Sequence, residues 1–423
     1  MIKNTYRILA KNHLMSNDTW KTGLNNNDLI IGPSGAGKTR NYVKPNIMQC
    51  NESMIIADTK GSLITEVGPL LEENGYKLIH INFKNLAESY GYNPFDFVRY
   101  DKKRKKYVEQ DILKISTSLV SETSQIEPFW ELAARMYLTS MIAYVLECLP
   151  KSEHSLEYVF ELFMEMNSGN FEKLFCELEE INPKSFAVKT YKMFKDNKKA
   201  EKMNESIRGI LAEKLNGLMF SETIRIYNNK QRISFKDLGK EKTAVFLTIS
   251  DTDRSMDRLI GLFYTQALQV LCDSADMDYE SHRLPIPVRF ILDDFATNAF
   301  IPDFDNIISV IRSREIYVSI ILQSITQLAG LYGQDKATTI INNCDNCLYL
   351  GGQDIETAKF IGIKANKTTN TILNMPLSDV YLCTRGQEAR KVEKYNICEH
   401  EKYNELPEAN CQSQIQDNFE FDI

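Results

Sequence analysis

The sequence predicts an α/β fold in which a largely parallel central sheet carries an inserted all-α domain. Three observations support this prediction: short apolar runs without polar alternation, a long helical stretch that separates them, and a glycine-rich loop directly after the first run. Strands that are buried on both faces are apolar throughout, because helices cover both sides of a parallel sheet. The predicted strands lie at 29–31, 54–57, 78–83, 244–249, 288–292, 318–322 and 347–350.

The first predicted strand runs into a loop with the pattern G-x-x-x-x-G-K-T, from Gly32 to Thr39. This pattern is typical of the phosphate-binding loop of nucleoside triphosphatases, in which the lysine contacts the β- and γ-phosphates and the threonine hydroxyl contacts Mg²⁺. Glycine is required because backbone N–H groups must turn inward around a phosphate. The candidate nucleotide-binding residues are Gly32, Pro33, Ser34, Gly35, Ala36, Gly37, Lys38, Thr39 and Arg40.

Composition and charge narrow the class of protein further. The net charge of −7 argues against a surface coated for nucleic-acid binding, although it is compatible with a local basic channel. Nine cysteines without a regular framework favour a reducing compartment, and five scattered histidines suggest no histidine metal site. No window approaches the ~20 consecutive apolar residues that cross a bilayer. We therefore expect a cytoplasmic protein.

Between about 101 and 226 the pattern changes to helical periodicity rich in Glu, Lys, Leu and Met, and strand-like runs resume near 240. From Glu399 onwards seven acidic residues accompany one lysine, Lys402, which is typical of a flexible acidic tail. The predicted units are a nucleotide-binding domain in two parts (1–100 and 227–396), an all-α inserted domain (101–226) and the tail (397–423).

The predicted strand 288–292 ends in two adjacent carboxylates, Asp293 and Asp294. In a nucleotide site one carboxylate organises Mg²⁺ and a second orients or deprotonates the attacking water. Because aspartate is common where a strand enters a turn, the pair alone is weak evidence. Together with the upstream phosphate-binding loop it predicts the second half of a nucleotide site, with Thr39 and Asp293 at the metal.

Seven ordered motifs lie between about residues 25 and 385. They are the phosphate-binding loop with Lys44-Pro45-Asn46, then Ile56-Ala-Asp58-Thr-Lys60-Gly61, Tyr92-Asn93-Pro94-Phe95, Phe129-Trp130, Phe290-Ile-Leu-Asp-Asp-Phe-Ala, Ile311-Arg312-Ser-Arg314, and Leu322-Gln323-Ser-Ile-Thr-Gln327. With these motifs the sequence resembles the TraG/TraD-type coupling proteins of conjugative type IV secretion.

The resemblance implies a RecA-like ATPase that binds ATP and Mg²⁺ and forms a homohexamer at the inner face of the membrane. It implies as partners a single, relaxase-bound DNA strand, the relaxase or accessory proteins, and membrane-embedded secretion components. By the same matching, Arg312 corresponds to the arginine finger and Gln323 to the γ-phosphate sensor, beside the catalytic Lys38, Asp293 and Asp294. The alternative interpretations are a solvated charge for Arg312 and a strand-end amide for Gln323.

Three departures from the family pattern keep other functions open. Asp294 stands where the family usually has glutamate, and Ser62 where many members have an acidic residue. The first predicted strand begins at residue 29, whereas the family usually starts with transmembrane helices, so we expect a soluble member that docks on a membrane partner or an anchor on another chain. The alternatives are an FtsK/HerA-type DNA translocase and a nucleotide-gated receptor platform that does not hydrolyse ATP.

Two further features have alternative interpretations. The basic run 102–106 is interpreted as a solvated boundary loop rather than a DNA contact, because no aromatic residues interleave with its charges. Phe129 and Trp130 are interpreted as core residues under the helical domain rather than as a partner contact.

Overall fold

The computed structural model describes residues 5–120, 128–196, 201–298 and 300–407. The strands in this part of the chain are β1 (Tyr6–Ala10), β2 (His13–Ser16), β3 (Asp28–Ile31), β4 (Ser53–Asp58), β5 (Lys77–Asn82), β6 (Tyr100–Asp101), β7 (Lys106–Tyr107), β8 (Thr243–Thr248), β9 (Val288–Leu292), β10 (Ile316–Leu322), β11 (Asn346–Tyr349), β12 (Asp379–Thr384) and β13 (Arg390–Glu393).

The α-helices are α1 (Thr19–Thr22), α2 (Lys44–Met48), α3 (Leu63–Glu73), α4 (Glu109–Leu119), α5 (Pro128–Cys148), α6 (Leu156–Met164), α7 (Gly169–Ile181), α8 (Phe186–Asp196), α9 (Glu201–Leu215), α10 (Ser221–Asn228), α11 (Phe235–Leu238), α12 (Asp257–Asp278), α13 (Phe295–Asn298), α14 (Phe304–Val310), α15 (Ile325–Tyr332), α16 (Gln334–Asn342), α17 (Ile355–Ala365) and α18 (Thr369–Leu373). None of these helices is long and apolar enough to cross a membrane.

The centre of the molecule is a sheet of nine strands in the order β13-β12-β11-β3-β10-β9-β4-β8-β5. From β11 to β5 every neighbouring pair is parallel, whereas β12 and β13 add antiparallel pairs at one edge. These parallel strands coincide with the runs that the sequence predicts. The predicted α/β class with a largely parallel sheet is therefore confirmed.

Successive residues of the parallel strands enter different cores, as the two-residue period of a strand requires. In β3, Leu29 and Ile31 pack into one core and Ile30 packs into the other. The first core continues into the helical insertion and α12, while the second contains side chains of α2 and α3. Both faces of the sheet are thus covered, which explains the apolar character of the predicted strands.

The helical insertion begins later than the sequence predicts. Residues 100–107 form an antiparallel hairpin of β6 and β7, and the basic run 102–106 is exposed around its turn. The prediction of an all-α domain from residue 101 is therefore wrong for this hairpin, whose strands of two residues each are too short to produce a detectable apolar run. At the start of α5, Trp130 packs against the core, whereas the Phe129 side chain is 47 % exposed, so the core interpretation holds only for Trp130.

An antiparallel hairpin of β1 and β2 precedes the first predicted strand. In β1, Arg7 is buried and donates hydrogen bonds to both carboxylate oxygens of Asp28, at 2.7 and 3.2 Å. A buried guanidinium needs such partners, because desolvating an unpaired charge is costly. The amide of Asn46 in α2 also bonds the backbone N–H and carbonyl of Ile8, each at 2.9 Å. The hairpin is thereby fastened to the helix that follows the phosphate-binding loop.

The start of the predicted acidic tail is ordered on the body of the protein. Ile397 and His400 are buried, and His400 lies 3.3 Å from the side-chain nitrogen of Gln49. Lys402 donates a 2.6 Å hydrogen bond to Asn74 at the end of α3. The structure therefore differs from the predicted flexible tail for 397–407, and residues 408–423 lie outside the described part of the chain.

Candidate nucleotide-binding site

The phosphate-binding loop follows the carboxyl end of β3. The Gly32 N–H donates a 3.1 Å hydrogen bond to the Leu322 carbonyl, which holds the start of the loop beside β10. Gly35 and Gly37 have φ angles of +78° and +88°, a region that L side chains rarely adopt. A Cβ on Gly37 would also lie 2.4 Å from the Asn41 side-chain nitrogen. The glycines predicted from the motif are thus required by the backbone path of the loop.

Lys38 is buried and reaches across the loop. Its ammonium donates hydrogen bonds to the carbonyls of Gly32 and Pro33, at 2.8 and 3.1 Å, and lies 3.9 Å from an oxygen of Asp294. These contacts hold one positive charge within the loop, where a β- or γ-phosphate would be placed.

The helix after the loop starts with a wider turn, because Thr39–Val43 is π-helical before α2 begins. Pro45 accounts for this turn: a proline within a helix lacks an N–H and crowds the carbonyl four residues earlier, and a wider turn relieves that crowding. At the start of the turn, the Thr39 hydroxyl donates a 2.9 Å hydrogen bond to Asp293. The two predicted metal ligands are therefore in direct contact.

Asp293 and Asp294 follow β9 at the same edge of the sheet. Burial raises the pKa of Asp293 to about 6, with a further contribution from the charge of Asp294. Asp294 adopts a φ of +47°, and its N–H donates a 3.1 Å hydrogen bond to Asp293. This backbone conformation is uncommon outside glycine and turns the second carboxylate away from the strand direction.

The donor set fits Mg²⁺, which prefers oxygen ligands and takes one or two carboxylates together with phosphates and water. Two adjacent carboxylates in a buried site form an excess of negative charge that a divalent cation would offset. Within 5–120, 128–196, 201–298 and 300–407, no group of three or more His, Cys, Asp or Glu side chains is arranged to hold a metal. Mg²⁺ usually completes its coordination from nucleotide phosphates and water, and a metal at Thr39 and Asp293 would do the same.

Replacing Asp293 by asparagine is expected to raise the melting temperature of the metal-free and nucleotide-free protein at pH 7.5. Because the pKa is raised from 3.8 to about 6, the folded state retains between these pH values a proton that the unfolded state has already released, and at pH 7.5 the folded state bears the full cost of ionising Asp293. Stability from this group is therefore lost as the pH rises from about 4 to about 6. Asparagine removes an ionisation cost on the order of 1–3 kcal/mol at pH 7.5.

The measurement is the melting temperature of both proteins between pH 4.5 and pH 8, with the exposed Asp251→Asn as the control. The difference between D293N and the parent should shrink towards the acid end. If the melting temperature of D293N were at or below that of the parent at every pH, the ionisation of Asp293 would not destabilise the folded state as we infer.

Gln323 lies directly after β10, between the loop and the carboxylates. In the sheet register, Leu322 pairs with Ile31 before the loop, and Ile320 pairs with Leu292 before Asp293. The Gln323 N–H donates a 3.2 Å hydrogen bond to the side-chain oxygen of Gln327. The structure thus brings Gln323 to the edge where the predicted phosphate and metal residues meet.

Arg312 lies at the opposite edge of the sheet, in the turn Ile311–Arg314 that precedes β10. The seven residues of β10 separate it from Gln323, a distance of roughly 20 Å along the strand. Its exposed guanidinium makes a long contact of 3.5 Å with the Thr19 carbonyl. The structure therefore does not bring Arg312 to the nucleotide site of its own chain.

The surroundings of Arg312 form a cavity of about 540 Å³ at that edge. Two other arginines line it and are neutralised by acidic partners: Arg283 pairs with Glu315, and Arg314 bonds both oxygens of Asp276 at 2.9 and 2.8 Å. In contrast, the 3.5 Å contact of Arg312 is to an uncharged carbonyl, and its side chain is exposed in a single chain.

The structure also reveals residues near the site that the sequence interpretation missed. A cavity of about 550 Å³ is lined by Thr39, Asp293 and Asp294 and also by residues of the segment 397–407. Lys394, just before that segment, donates a 3.1 Å hydrogen bond to the Ala36 carbonyl in the loop. The available signal was the recurrence of apolar residues within this acidic stretch. The wall residues are Ile397, Tyr403, Leu406 and Pro407.

Comparison with known proteins gives one family match that covers almost the whole chain. The family model described as type IV secretory system conjugative DNA transfer matches residues 2–401. Protein VirD4 of Rhizobium radiobacter is 21 % identical over 379 residues, which cover 87 % of this chain and 53 % of that protein. Protein VirD4 of Agrobacterium fabrum is equally similar, with 55 % of its length covered. The chain thus spans about half the length of these curated relatives.

Solved structures with the same fold include the bacterial conjugative coupling protein TrwBdeltaN70 in an unbound form. It has a TM-score of 0.69 and 16 % sequence identity, over 93 % of this chain and 90 % of that one. TrwB in complex with ADP and Mg²⁺ has a TM-score of 0.67, 16 % identity and the same coverage. At these identities the likeness establishes the fold, and the predicted RecA-like P-loop architecture is confirmed.

Proposed function

Because the chain belongs to the type IV secretory system conjugative DNA transfer family, we propose that it is the ATPase of a conjugative coupling protein. In this function it binds ATP with Mg²⁺ and uses hydrolysis to move relaxase-bound, single-stranded DNA towards the secretion channel. The observation that supports the proposal best is the contact between the Thr39 hydroxyl and Asp293, which joins the phosphate-binding loop to the carboxylate pair across the sheet edge.

The side chains take distinct roles in this proposal. The loop amides and Lys38 bind the phosphates, and Thr39 and Asp293 hold Mg²⁺, which when bound offsets charge on the phosphate oxygens. Asp294 orients the attacking water from its half-exposed position beside Lys38. Gln323, at the end of β10, contacts the γ-phosphate side of the site.

The position of Arg312 suggests further copies of this chain as partners, and the family suggests the other partners. A guanidinium at the far edge of the sheet can complete a nucleotide site only on another subunit, so we propose a closed ring, with the homohexamer as its expected form. Relaxase or accessory proteins would deliver the DNA, and membrane-embedded secretion components would hold the ring at the inner face of the membrane.

The proposal predicts that single-stranded DNA stimulates ATP turnover several-fold at low salt. Stimulation should decline at moderate salt, because protein contacts with phosphates release counterions. The specific rate should also rise with protein concentration, because a ring must assemble. The measurement is steady-state phosphate release with and without DNA at two salt concentrations. Tight ATP binding without turnover under all these conditions would contradict a motor and favour the receptor platform.

A further inference from the structure

We propose that the cavity between the π-helical turn, α3 and the segment 397–407 is the base pocket of the nucleotide site, and that Tyr403 stacks on a purine base there. The inference rests on the proposed function, since it places the base of the nucleotide whose phosphates occupy the loop. It assigns a binding role to a segment that the sequence presented as an acidic tail.

The cavity has the polarity that a nucleotide requires. Its lining includes Thr39 and Asp293, which are the predicted metal residues, together with Asp294. It also includes an apolar wall of Ile397, Leu406 and Pro407 with Tyr403, and the remaining lining comes from residues 40, 44, 58–60, 62, 63 and 65–67. A nucleoside triphosphate likewise combines a polyanion with a flat aromatic base. The volume of about 550 Å³ lies within the usual range for small-molecule sites, about 300–1,000 Å³.

The direction of the helix after the loop supports this orientation. Thr39, Arg40 and Lys44 all line the cavity, and Arg40 and Lys44 are four residues apart, so they share one face of the helix. A chain of phosphates that starts at Lys38 and Thr39 would therefore continue past Arg40, with its positive charge, towards Lys44. Lys44 forms an ion pair with Glu66 of α3, and both residues line the cavity.

The wall has the chemistry of stacking rather than of hydrogen-bonded base reading. Ile397, Leu406 and Pro407 have no side-chain hydrogen-bonding groups, and the half-buried Tyr403 adds an aromatic face. Stacking on an aromatic side chain tolerates any base but favours the larger surface of a purine. The pocket therefore fits a purine nucleoside triphosphate.

The wall is held in place before any nucleotide binds. Ile397 is buried in the same core as Tyr42 and Val43 of the π-helical turn, and Tyr403 and Leu406 pack against that core. Lys402 is bonded to Asn74 at 2.6 Å. The bond from Lys394 to the Ala36 carbonyl ties the start of the segment to the loop itself. A preorganised wall of this kind loses little conformational entropy on binding.

The test compares ATP with inorganic tripolyphosphate, which has phosphates but no base. Both are titrated with Mg²⁺ into the full chain by calorimetry, and ATP and GTP are compared with CTP. Tyr403→Ala should weaken ATP binding about 10- to 100-fold and leave tripolyphosphate binding unchanged. It should also reduce the preference for purines. The matched control is Tyr395→Ala, a tyrosine eight positions earlier in the sequence that does not line the cavity.

Each outcome separates the two proposals. Retained tripolyphosphate binding shows that Y403A has an intact phosphate-binding loop, so a selective loss of ATP affinity assigns the base to this wall. Parental ATP affinity in Y403A, or an equal loss for ATP and tripolyphosphate, would overturn the base pocket while leaving the loop assignment in place. If the parent protein bound neither ligand, the proposed function itself would fail.

Discussion

Replacing Lys38 by alanine is expected to lower ATP turnover by about 100- to 1,000-fold, which is the usual cost of removing one charge-stabilising donor from a transition state. Lys38 is the cation that the loop holds against the carbonyls of Gly32 and Pro33. Alanine would leave these carbonyls and the nearby Asp294 without that charge, so a triphosphate would meet a net negative site. ATP affinity and turnover should therefore fall together.

The measurement is phosphate release by K38A beside the parent and beside Lys359→Ala, which removes an exposed lysine on α17. A matching melting temperature for K38A would show that the variant is folded. Turnover at the parental rate in K38A would place hydrolysis at some site other than this loop.

The parallel part of the sheet could be predicted because its strands are buried on both faces. Every residue of β9 and β10 is buried, so the sequence of each strand is dominated by apolar residues. The hairpin of β1 and β2 could not be predicted in this way, since β1 carries the charged Arg7 among its buried residues and no residue of β2 is buried. Likewise β13 at the sheet edge is mostly exposed and polar. A continuous apolar run reveals a strand that is buried on both faces, whereas a strand with little buried surface leaves no such run in the sequence.

Some residues of the site could likewise be predicted from local sequence motifs, whereas others are brought to the site only by the tertiary structure. The loop residues follow from a contiguous motif, and the carboxylates follow from their place at the end of a strand. Tyr403 could not be predicted, because only the folded chain places it near Thr39, more than three hundred residues earlier. The positive φ of Asp294 has no signal in the sequence either. The position of Arg312 could be predicted, since a residue before a parallel strand lies at the opposite edge from one after it.

The second large expected effect is a loss of ATP turnover in Arg312→Ala, and it follows from the place of Arg312 at the edge of the sheet opposite the phosphate-binding loop. An arginine that contributes to a phosphoryl-transfer transition state from a neighbouring subunit accelerates hydrolysis by about 10³- to 10⁵-fold. R312A should therefore lose turnover to a similar extent while it binds ATP with parental affinity, because roughly 20 Å separates the residue from the phosphate edge of its own chain. Equal loss of binding and turnover would instead indicate a structural role.

Mixing two inactive variants tests the contribution across subunits directly. K38A subunits retain Arg312, and R312A subunits retain Lys38, so a mixed ring contains some interfaces at which both groups are intact. In an equal mixture with random assembly, about one quarter of the interfaces have the intact arrangement, because ring contacts are head-to-tail. Turnover should therefore reappear on mixing, up to about that fraction of the parental rate if sites act independently.

The control for this experiment is the double variant K38A/R312A, mixed with either single variant. Neither mixture contains an interface with both groups intact, so neither should recover turnover. Recovery that is confined to the mixture of single variants requires two chains to share one nucleotide site. If that mixture stays inactive although the subunits exchange, as fluorescence transfer between labelled subunits would show, Arg312 does not act on the neighbour's nucleotide and the ring interface must use other residues.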